Sequence, residues 1–487
     1  MSFESPPMRT LASLAFCAAL DAADMAMIPG MFRAFESDFG VSLSDIGIMY
    51  LLQCLVSALA MPIWGGLGDR MSRKTLLCFG CFCWGGFTIA CAFAGTFVEF
   101  TVFRTCAAIF LSLVSPIAQS VVADLAPSEA RGRVFGKIGF VAMLGAFVGQ
   151  FASTATAEQY YGGVRGWRIC LAAVGGLSIT FPFFMSFLMI EPQRSPQHRA
   201  ILNKSEFGVD WESLKLKSFW LLCLQGVFGC IPWRAFGMFS ILWLELLGYS
   251  SMQTAIMGGF GMAAGAVGHL ISGYIGDFAH AMYPYRGRVY VAQTTVSFGM
   301  ILVFILLMVL PKSSNHIVLF CFVIVLFNLA STWASNATNR PLVADIVPEW
   351  SRASIYSYFT MVESVPSSFA GYLVSYIAES GFGFTAGTGP GKRVDVNNLT
   401  DAEKAHNVTA LTNALCIMTI VPWALTFVLY SLMHFTYEKD VTKSAGRQKR
   451  AKLFSDDFSS STEEGNGVDD TLGDLDEVQL LAEGRRG

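Results

Sequence analysis

Apolar residues gather along this chain into long runs that short polar stretches separate. A helix of about 20 apolar residues spans the hydrocarbon core of a bilayer. Twelve such runs are present, and no continuous soluble domain interrupts them. Numbered helix 1 to helix 12 in chain order, they are predicted at 10–32, 46–67, 75–98, 102–125, 133–157, 167–190, 217–247, 253–278, 289–310, 316–340, 353–379 and 410–435. The pattern therefore predicts an all-α membrane protein with twelve transmembrane helices.

Composition supports this class and excludes others. The 487 residues are 53% hydrophobic and 14% charged, whereas soluble domains carry about 25% charged residues. The cysteines lie almost wholly in apolar runs, which argues against a secreted disulfide framework. Cys78, Cys81 and Cys83 have metal-like spacing, but they lie inside an apolar helix, where cysteine packs as a small hydrophobic residue. We expect no metal, no cofactor and no nucleic-acid partner. Because no nucleophile–base set or phosphate loop is visible, we expect no enzyme.

Basic residues fall in alternate loops, which predicts the orientation. Cytosolic loops of membrane proteins are enriched in Lys and Arg, so both termini are predicted to be cytosolic. The loop at 380–409 then lies on the opposite side and carries two glycosylation sequons, at Asn398 and Asn407. Such sequons are acceptors on non-cytosolic loops. The bases that set the orientation are Arg70, Arg73, Lys74, Arg131, Arg133, Lys137, Arg194, Arg199, Lys204, Lys215, Lys217 and those at 439–452.

The C-terminal tail has a different composition from the helices. From Asp456 it is acidic and rich in Ser, Asp and Gly, which predicts disorder. Asp476, Leu480 and Leu481 resemble the acidic dileucine signal that sorts membrane proteins to endosomes, lysosomes or vacuoles, so the expected location is an endolysosomal or vacuolar membrane or the plasma membrane. The alternative is an ordinary solvated tail. The basic stretch 439–452 is expected to face lipid headgroups or to act only as the flank that stops helix 12.

Two sequence motifs occur twice, once in each half. Asp124, followed by Pro127 and Arg131, returns as Asp345, followed by Pro348 and Arg352, with the same Asp-to-Arg spacing. Gly65 and Asp69 after helix 2 return as Gly273 and Asp277 after helix 8. Two parallel six-helix repeats are typical of transporters that rock two halves about a central site. The predicted domains are an N-terminal bundle at 1–190, a cytosolic linker at 191–216, a C-terminal bundle at 217–437 and a disordered cytosolic tail at 438–487.

The loop between helices 2 and 3 resembles a known family signature. Gly65, Asp69, Arg70, Arg73 and Lys74 are similar to the loop motif of the major facilitator superfamily, with Ser72 where that family usually has Gly. The resemblance implies a twelve-helix carrier with a conformational latch, in which Asp69 faces the start of helix 11 beside Arg352 and Arg131 joins the cluster. Asp124, Asp277 and Asp345 are assigned to the same latch. The alternative is that these basic loops serve topology alone.

Within this superfamily the membrane part is most similar to the spinster-like branch and to related plant and protist proteins. Met25 and Leu111 stand where spinster proteins carry Arg and Glu. The resemblance implies proton-driven export of lysolipids or sphingoid phosphates, with Asp24 as the helix 1 carboxylate. It also suggests that Arg234 replaces the missing charge from across the cavity. The stretches that carry the similarity are 23–30, 116–124, 232–233, 243–248, 287–288, 337–341 and 346–356.

Ionisable residues inside membrane helices are costly, so each is a candidate for function. Asp21 and Asp24 share one face of helix 1 at i and i+3, and two close carboxylates can exchange a proton near neutral pH. The alternative is that one of them pairs permanently with a buried base. Glu363 in helix 11 is a further proton candidate.

Helix 7 carries the matching cation. Arg234 follows Pro232, which bends the helix, and a guanidinium there can grip a carboxylate or phosphate or neutralise Asp24. A structural pair without substrate contact is the alternative. Gln119 in helix 4 and Asn336 in helix 10 are expected either to touch substrate or to join helices, because helices 1, 4, 7 and 10 line the cavity in this fold. Arg104 is expected to reach the non-cytosolic interface, and His269 to pack.

The sequence thus predicts a monomeric, proton-coupled secondary carrier that works by alternating access. The first predicted substrate is a lysolipid or another amphipathic organic anion. The alternatives are a carrier of small polar organic anions or sugars, and a transporter-like receptor that no longer transports.

Overall fold

The computed structural model describes residues 8–41, 43–191, 211–385 and 400–463, and it is built almost wholly of helices. Within this part, eleven helices are long and apolar enough to cross a membrane. The first six transmembrane helices are Met8–Gly30, Leu43–Arg70, Arg73–Phe93, Phe97–Leu111 continued by Val114–Leu125, Arg131–Thr156 and Gly166–Leu188. Helices 7 to 10 are Lys217–Leu246, Ser251–Met282, Gly287–Phe304 continued by Ile305–Val309, and Ile317–Ser331 continued by Ala334–Asn339 and Arg340–Ile346. Helices 11 and 12 are Arg352–Ser367 continued by Ala370–Tyr376 and Ile377–Gly381, and Asp401–Glu463.

Helix 11 is the predicted transmembrane helix whose longest uninterrupted segment, Arg352–Ser367, is too short to cross the membrane alone. It is interrupted at Ser368 and Phe369, directly after Pro366, because proline removes a backbone donor and crowds the preceding turn. Helix 10 is interrupted in a similar way, by a π-helical segment before Pro341. These irregular segments lie in helices of a membrane protein, where they are tolerated only if other protein groups satisfy the backbone.

Short elements join the membrane helices. Strands Tyr160–Tyr161 and Val164–Arg165 form an antiparallel hairpin between helices 5 and 6. Its turn residues, Gly162 and Gly163, have φ values of 59° and 83°, which only glycine adopts without strain. The remaining short helices are Phe32–Phe39, Ser128–Ala130, Trp211–Leu214, Ser314–His316 and Glu349–Ser351.

The hydrophobic core divides as the sequence repeat suggests. One cluster of buried apolar side chains is built almost entirely from helices 7 to 12 and includes Trp243, Tyr356 and Tyr430. Two further clusters lie in the first six helices, around Trp84 and Trp167. Each half therefore has its own packed interior, and the surface between the halves remains available for a site.

The C-terminal region differs from the prediction. Helix 12 continues to Glu463 instead of ending near 435, so the described part of the region 438–463 is helical where disorder was predicted. The chain divides after Ser444 into two compact units. The segment from Ala445 to Glu463 contains no proline and includes Lys, Arg, Gln and Ala. Because these residue types favour helix, the helix can continue beyond the predicted end.

Candidate functional site

Asp69 links the two halves of the molecule at the end of helix 2. Its carboxylate is completely buried. Oδ1 accepts a hydrogen bond from the backbone N–H of Ala353 at 3.0 Å, and Oδ2 accepts one from that of Ser354 at 2.8 Å. The N–H groups in the first turn of a helix have no partner within that helix, and the helix dipole also favours negative charge there. Asp69 therefore caps a helix of the opposite half.

Asp124, at the end of helix 4, completes this arrangement. It forms ion pairs with Arg73 of its own half and with Arg352 of the other half. Both arginines are almost completely buried. Arg352 also donates to the carbonyl of Ala123 at 3.2 Å. We call Asp69, Arg73, Asp124 and Arg352 the first ion cluster.

The second half repeats this arrangement, but here its carboxylate caps a helix of the first half. Oδ1 and Oδ2 of Asp277 accept hydrogen bonds from the backbone N–H groups of Gly132 and Arg133, at the start of helix 5, both at 2.9 Å. Asp345 pairs with Arg131 of the first half at 2.6 Å and with Arg288 of its own half at 2.9 Å. We call Arg131, Asp277, Arg288 and Asp345 the second ion cluster.

The second ion cluster has additional hydroxyl partners. Tyr437 and Ser128 donate to Asp345 at 2.9 and 3.1 Å. Of the other bases predicted for this end, Arg70 is exposed and Lys74 is half-buried. Both clusters thus combine a carboxylate at a helix N-terminus with a partly buried carboxylate held between two arginines.

The halves approach closely at the end that carries the two ion clusters. A Cβ added to Gly65 would lie 2.7 Å from the carbonyl oxygen of Ala353, and one added to Gly136 would lie 2.6 Å from that of His269. Further along helix 8, a Cβ at Gly259 would lie 3.5 Å from Phe147. Small residues at such contacts permit backbones to meet. The interface is therefore tightest at the cluster end.

A cavity of about 260 Å³ lies between the halves, bounded by helices 1, 4, 5, 8 and 10. Its lining is mostly apolar, with polar side chains from both halves. The first half contributes Asp21, Ser115 and Gln119, and the second half contributes His269 and Arg340. An apolar pocket with a few converging polar groups is the usual form of a small-molecule site.

The polar side chains of the cavity are only partly satisfied by one another. Gln119 donates to the hydroxyl of Ser115 at 2.6 Å, while within the described residues its buried Oε1 has no hydrogen-bond partner. The guanidinium of Arg340 lies 5.8 Å from the ring centre of Phe135, close enough for a cation–π contact. The cavity thus offers an amide acceptor, a carboxylate and a guanidinium to a ligand.

Asp24 lies outside the cavity lining and has a partner that the sequence did not predict. It is completely buried, and its Oδ2 lies 2.7 Å from Nη2 of Arg104 in helix 4. Arg104 also donates to Oε1 of Gln53 at 3.2 Å. The expectation that Arg234 neutralises Asp24 is wrong in this structure, as is the expectation that Arg104 reaches the membrane interface. Helix 4 turns Arg104 inward, where its buried charge needs a counter-ion.

Arg234 and Glu363 lie in the second half. Nη1 of Arg234 lies 3.8 Å from the sulfur of Cys54 in helix 2, and within the described residues Arg234 forms no ion pair. The carboxylate of Glu363 packs against Gly226 of helix 7, and its charged neighbours are Arg340 and Arg234. Arg234 therefore remains a cation at the interface without a carboxylate partner in the described chain.

The other predicted site residues are Asn336 and those assigned to glycosylation and sorting. Asn336 lies in the π-helical segment of helix 10, and its side chain is outside the described part. Asn407 is completely buried in helix 12, and its Oδ1 accepts from the backbone N–H of Thr385 at 2.8 Å. A glycan cannot be attached to such a side chain, so the expected glycosylation of Asn407 is wrong. Asn398, Asp476, Leu480 and Leu481 lie outside the described residues.

Sequence reasoning missed Arg340 as a cavity residue. The predicted helix 10 ended at 340, so this arginine was only the last residue of the predicted span. In the structure the helix continues to Ile346, which moves Arg340 inward. A signal was available, because Asp345 marks the helix end in the repeat just as Asp124 does for helix 4.

Comparison with known proteins agrees with this architecture. A family model described as the Major Facilitator Superfamily matches residues 14–371. Protein spinster of Drosophila melanogaster is 25% identical over 231 residues, which are 46% of this chain and 37% of that protein. The 4-hydroxybenzoate transporter PcaK of Acinetobacter baylyi is 24% identical over 53% of this chain and 63% of its own length. The matches span less than two thirds of these relatives.

A solved structure shares the fold over most of the chain. A bacterial homologue of the human lysosomal transporter spinster, in an inward-facing and unoccupied conformation, superposes with a TM-score of 0.63 at 18% identity. The match covers 90% of this chain and 99% of that one. The predicted resemblance to spinster-like proteins and the predicted fold are confirmed.

Proposed function

The chain belongs to the Major Facilitator Superfamily of membrane transporters, and on this premise we propose that it is a secondary carrier working by alternating access. The observation that carries the proposal is a cavity between two halves that ion pairs join at one end. A site enclosed by two separable bodies is reached from each side in turn when the bodies rock. The proposed transport is coupled to protons, and the proposed cargo is an amphipathic organic anion, with a lysolipid as the first candidate.

The lining of the cavity supports an amphipathic anion. Side chains such as Ala22, Val114 and Ile138 offer apolar surface, and Arg340 offers a positive charge. Arg234 adds a second cation at the interface between the halves. A guanidinium binds carboxylate or phosphate through two parallel hydrogen bonds, so one end of the cargo would be anionic and the rest apolar.

Three carboxyl groups near the cavity support proton coupling. Asp21 lines the cavity, Asp24 lies one helical turn away, and Glu363 lies near Arg340. Carboxylates inside a membrane bundle are typical of proton relays.

The ion clusters serve as the proposed latch. Asp69, Arg73, Asp124 and Arg352, with Arg131, Asp277, Arg288 and Asp345, hold the cluster end closed and must separate when that end opens. The distribution of basic loops supports a cytosolic cluster end, with both termini cytosolic. An endolysosomal or vacuolar membrane and a monomeric state belong to the same proposal.

A small organic anion is the second candidate. The cavity volume of about 260 Å³ lies below the range of about 300–1,000 Å³ that is usual for drug-sized ligands. One relative is named for the transport of 4-hydroxybenzoate, an aromatic carboxylate.

Transport by the purified protein in proteoliposomes tests the proposal. The panel comprises oleoyl-lysophosphatidate, 4-hydroxybenzoate and glucose, each offered with an inward proton gradient, with an ionophore and to protein-free vesicles. Gradient-driven movement of the lysolipid supports the first candidate, and movement of 4-hydroxybenzoate alone supports the second. If the protein binds a member of the panel but moves none, the carrier proposal fails in favour of a receptor.

A further inference from the structure

A group of polar side chains lies on the outer surface of the second half, where helices 9 and 12 meet near the cluster end. The adjoining Thr294 and Phe435 are exposed. Gln293 of helix 9 donates to the hydroxyl of Ser431 at 2.8 Å, and its Oε1 lies 3.2 Å from Nε2 of His434. Since the amide nitrogen is used on Ser431, the amide oxygen accepts and the imidazole donates. These hydrogen bonds join the two helices and fix the orientation of the His434 ring.

The fixed imidazole packs against a pair of tyrosines at the turn between helices 8 and 9. The ring centre of Tyr290 lies 4.8 Å from that of His434, and Tyr283 meets Tyr290 edge-on at 6.3 Å. Both tyrosines are exposed, and tyrosines at the border of a membrane lie at the level of the lipid headgroups. Further towards the membrane centre the same helices expose Phe298 and Leu432, which offer apolar surface to acyl chains.

Arg286 adds a positive charge beside the two tyrosines. It directly precedes helix 9, its side chain is exposed, and within the described residues it forms no ion pair. Its guanidinium is close enough to His434 for the charge to act on the imidazole. On the next turn of helix 12, Glu438 and Lys439 are exposed, and neither forms an ion pair in this part of the chain. The surface therefore combines an uncompensated guanidinium with aromatic rings.

The corresponding place in the first half holds a carboxylate. Helices 3 and 6 are the repeat counterparts of helices 9 and 12, and Glu191, just beyond helix 6, accepts from the backbone N–H of Arg73 at 2.7 Å. In the second half, Asp440 of helix 12 instead accepts from the backbone N–H of Ser218 in helix 7 at 2.8 Å. Arg286 is thus left without an acidic partner in the described chain, at a place where the first half uses an anion.

We propose that Arg286, Tyr283 and Tyr290 bind the phosphate of an anionic phospholipid from the surrounding membrane, with His434 and Gln293 as positioning residues. A guanidinium forms strong charge-assisted hydrogen bonds with phosphate, and basic residues at the membrane surface attract anionic lipids. The tyrosines place their hydroxyls at the headgroup and their rings against the lipid. This site lies on the outer surface of one half, so it is separate from the central cavity and does not depend on the cargo or on proton coupling.

The lipid site connects to the second ion cluster through both of its helices. Arg288 lies two residues after Arg286, and Tyr437 lies one turn after His434. Arg288 and Tyr437 each donate to the carboxylate of Asp345, at 2.9 Å in both cases. A lipid that holds helix 9 against helix 12 therefore also holds these two donors in place around Asp345.

Native mass spectrometry of the purified full chain tests the site without any transport substrate. The protein is titrated with dioleoylphosphatidylglycerol, which is anionic, and with dioleoylphosphatidylcholine, which has no net charge. We expect the wild type to bind one molecule of the anionic lipid more tightly than the neutral one. Arg286→Gln should weaken binding of the anionic lipid about tenfold, as loss of a hydrogen bond to a charged group does. Tyr290→Phe, which keeps the ring contact with His434, should weaken it less.

Two charge variants serve as controls. Lys137→Gln removes an exposed positive charge from helix 5 in the other half and should leave the affinity unchanged. Glu438→Gln removes a negative charge near the site, so the affinity should stay the same or rise. Equal losses of affinity in Arg286→Gln and Lys137→Gln would show general attraction to surface charge and would overturn the site. If soluble glycerol 3-phosphate displaces the anionic lipid at equal concentration, the site takes free phosphate esters, and the lipid is overturned as its occupant.

Discussion

The cluster end and the membrane centre both contain buried ion pairs, but these pairs connect different parts. At the cluster end Arg352 pairs with Asp124 and Arg131 pairs with Asp345, in each case across the interface between the halves. At the centre Asp24 pairs with Arg104 inside the first half. A contact across the interface exists only while that end is closed. A contact within one half persists in every conformation, so the two kinds of pair have different consequences when they are broken.

Loss of the ion pair between Asp24 and Arg104 should have the largest effect on the stability of the protein. Asp24→Asn leaves the guanidinium of Arg104 buried without a counter-ion, and removing one partner of such a pair costs about 3–5 kcal/mol. Because the pair persists throughout the cycle, we expect the whole protein to be destabilised, whichever end is open. Thermal unfolding of the purified variant in detergent measures this loss.

The matched control removes both charges of this pair. The double variant Asp24→Asn with Arg104→Gln leaves no charge uncompensated, so it should regain much of the stability. Arg234→Gln offers a second control, since Arg234 forms no ion pair within the described residues and should lose less. A double variant as unstable as the single one would show that Asp24 acts through contacts other than Arg104.

Loss of a pair across the interface should change the conformation more than the stability. Arg352→Gln removes the ion pair across the interface and leaves Asp124 paired with Arg73 of its own half, and a hydrogen bond to a charged group contributes about 1.5–3 kcal/mol. We expect the equilibrium to move by about tenfold or more towards an open cluster end. Hydrogen exchange of the amides of Ala353 and Ser354 measures the opening, because Asp69 protects both in the closed state.

Arg131→Gln is the matched variant in the second ion cluster, because Asp345 keeps its ion pair with Arg288 of its own half. If the halves rock as rigid bodies, either variant should raise exchange at the starts of both helix 5 and helix 11. Exchange that increases only beside the substituted cluster would indicate local fraying and would contradict a common latch.

Much of the fold and of the cluster end could be predicted, because both depend on local or repeated patterns. Run length sets the helices, and the repeated Asp-to-Arg spacing identifies Asp124 and Asp345 as equivalent residues. The partner of Asp24 was missed because an apolar run gives no indication of which way a helix is rotated. Arg104 and Arg234 both lay in apolar runs, and only packing distinguishes them.

Two differences between the prediction and the structure, at Arg104 and at Asn407, concern depth in the membrane and burial. Asp24 lies six residues before the end of helix 1, and Arg104 lies seven residues after the start of helix 4. Two adjoining helices of opposite direction therefore place them at the same depth in the structure, whereas the predicted start of helix 4 at 102 put Arg104 close to the helix end. The sequon at Asn407 is a local motif that carries no information on burial, and the structure buries this side chain.

Substitution of a closely packed glycine at the cluster end should have a smaller effect than the loss of either kind of ion pair. In Gly65→Ala the new methyl group would lie 2.7 Å from the carbonyl oxygen of Ala353, and overpacking of this kind costs about 1–3 kcal/mol. The strain exists only while the end is closed, so exchange at Ala353 and Ser354 should rise while thermal stability changes little. Gly86→Ala is the control, because its methyl group would meet open space and alanine favours helix by about 1 kcal/mol. If both variants raise exchange equally, close approach at Gly65 does not hold this end closed, and the ion clusters alone must do so.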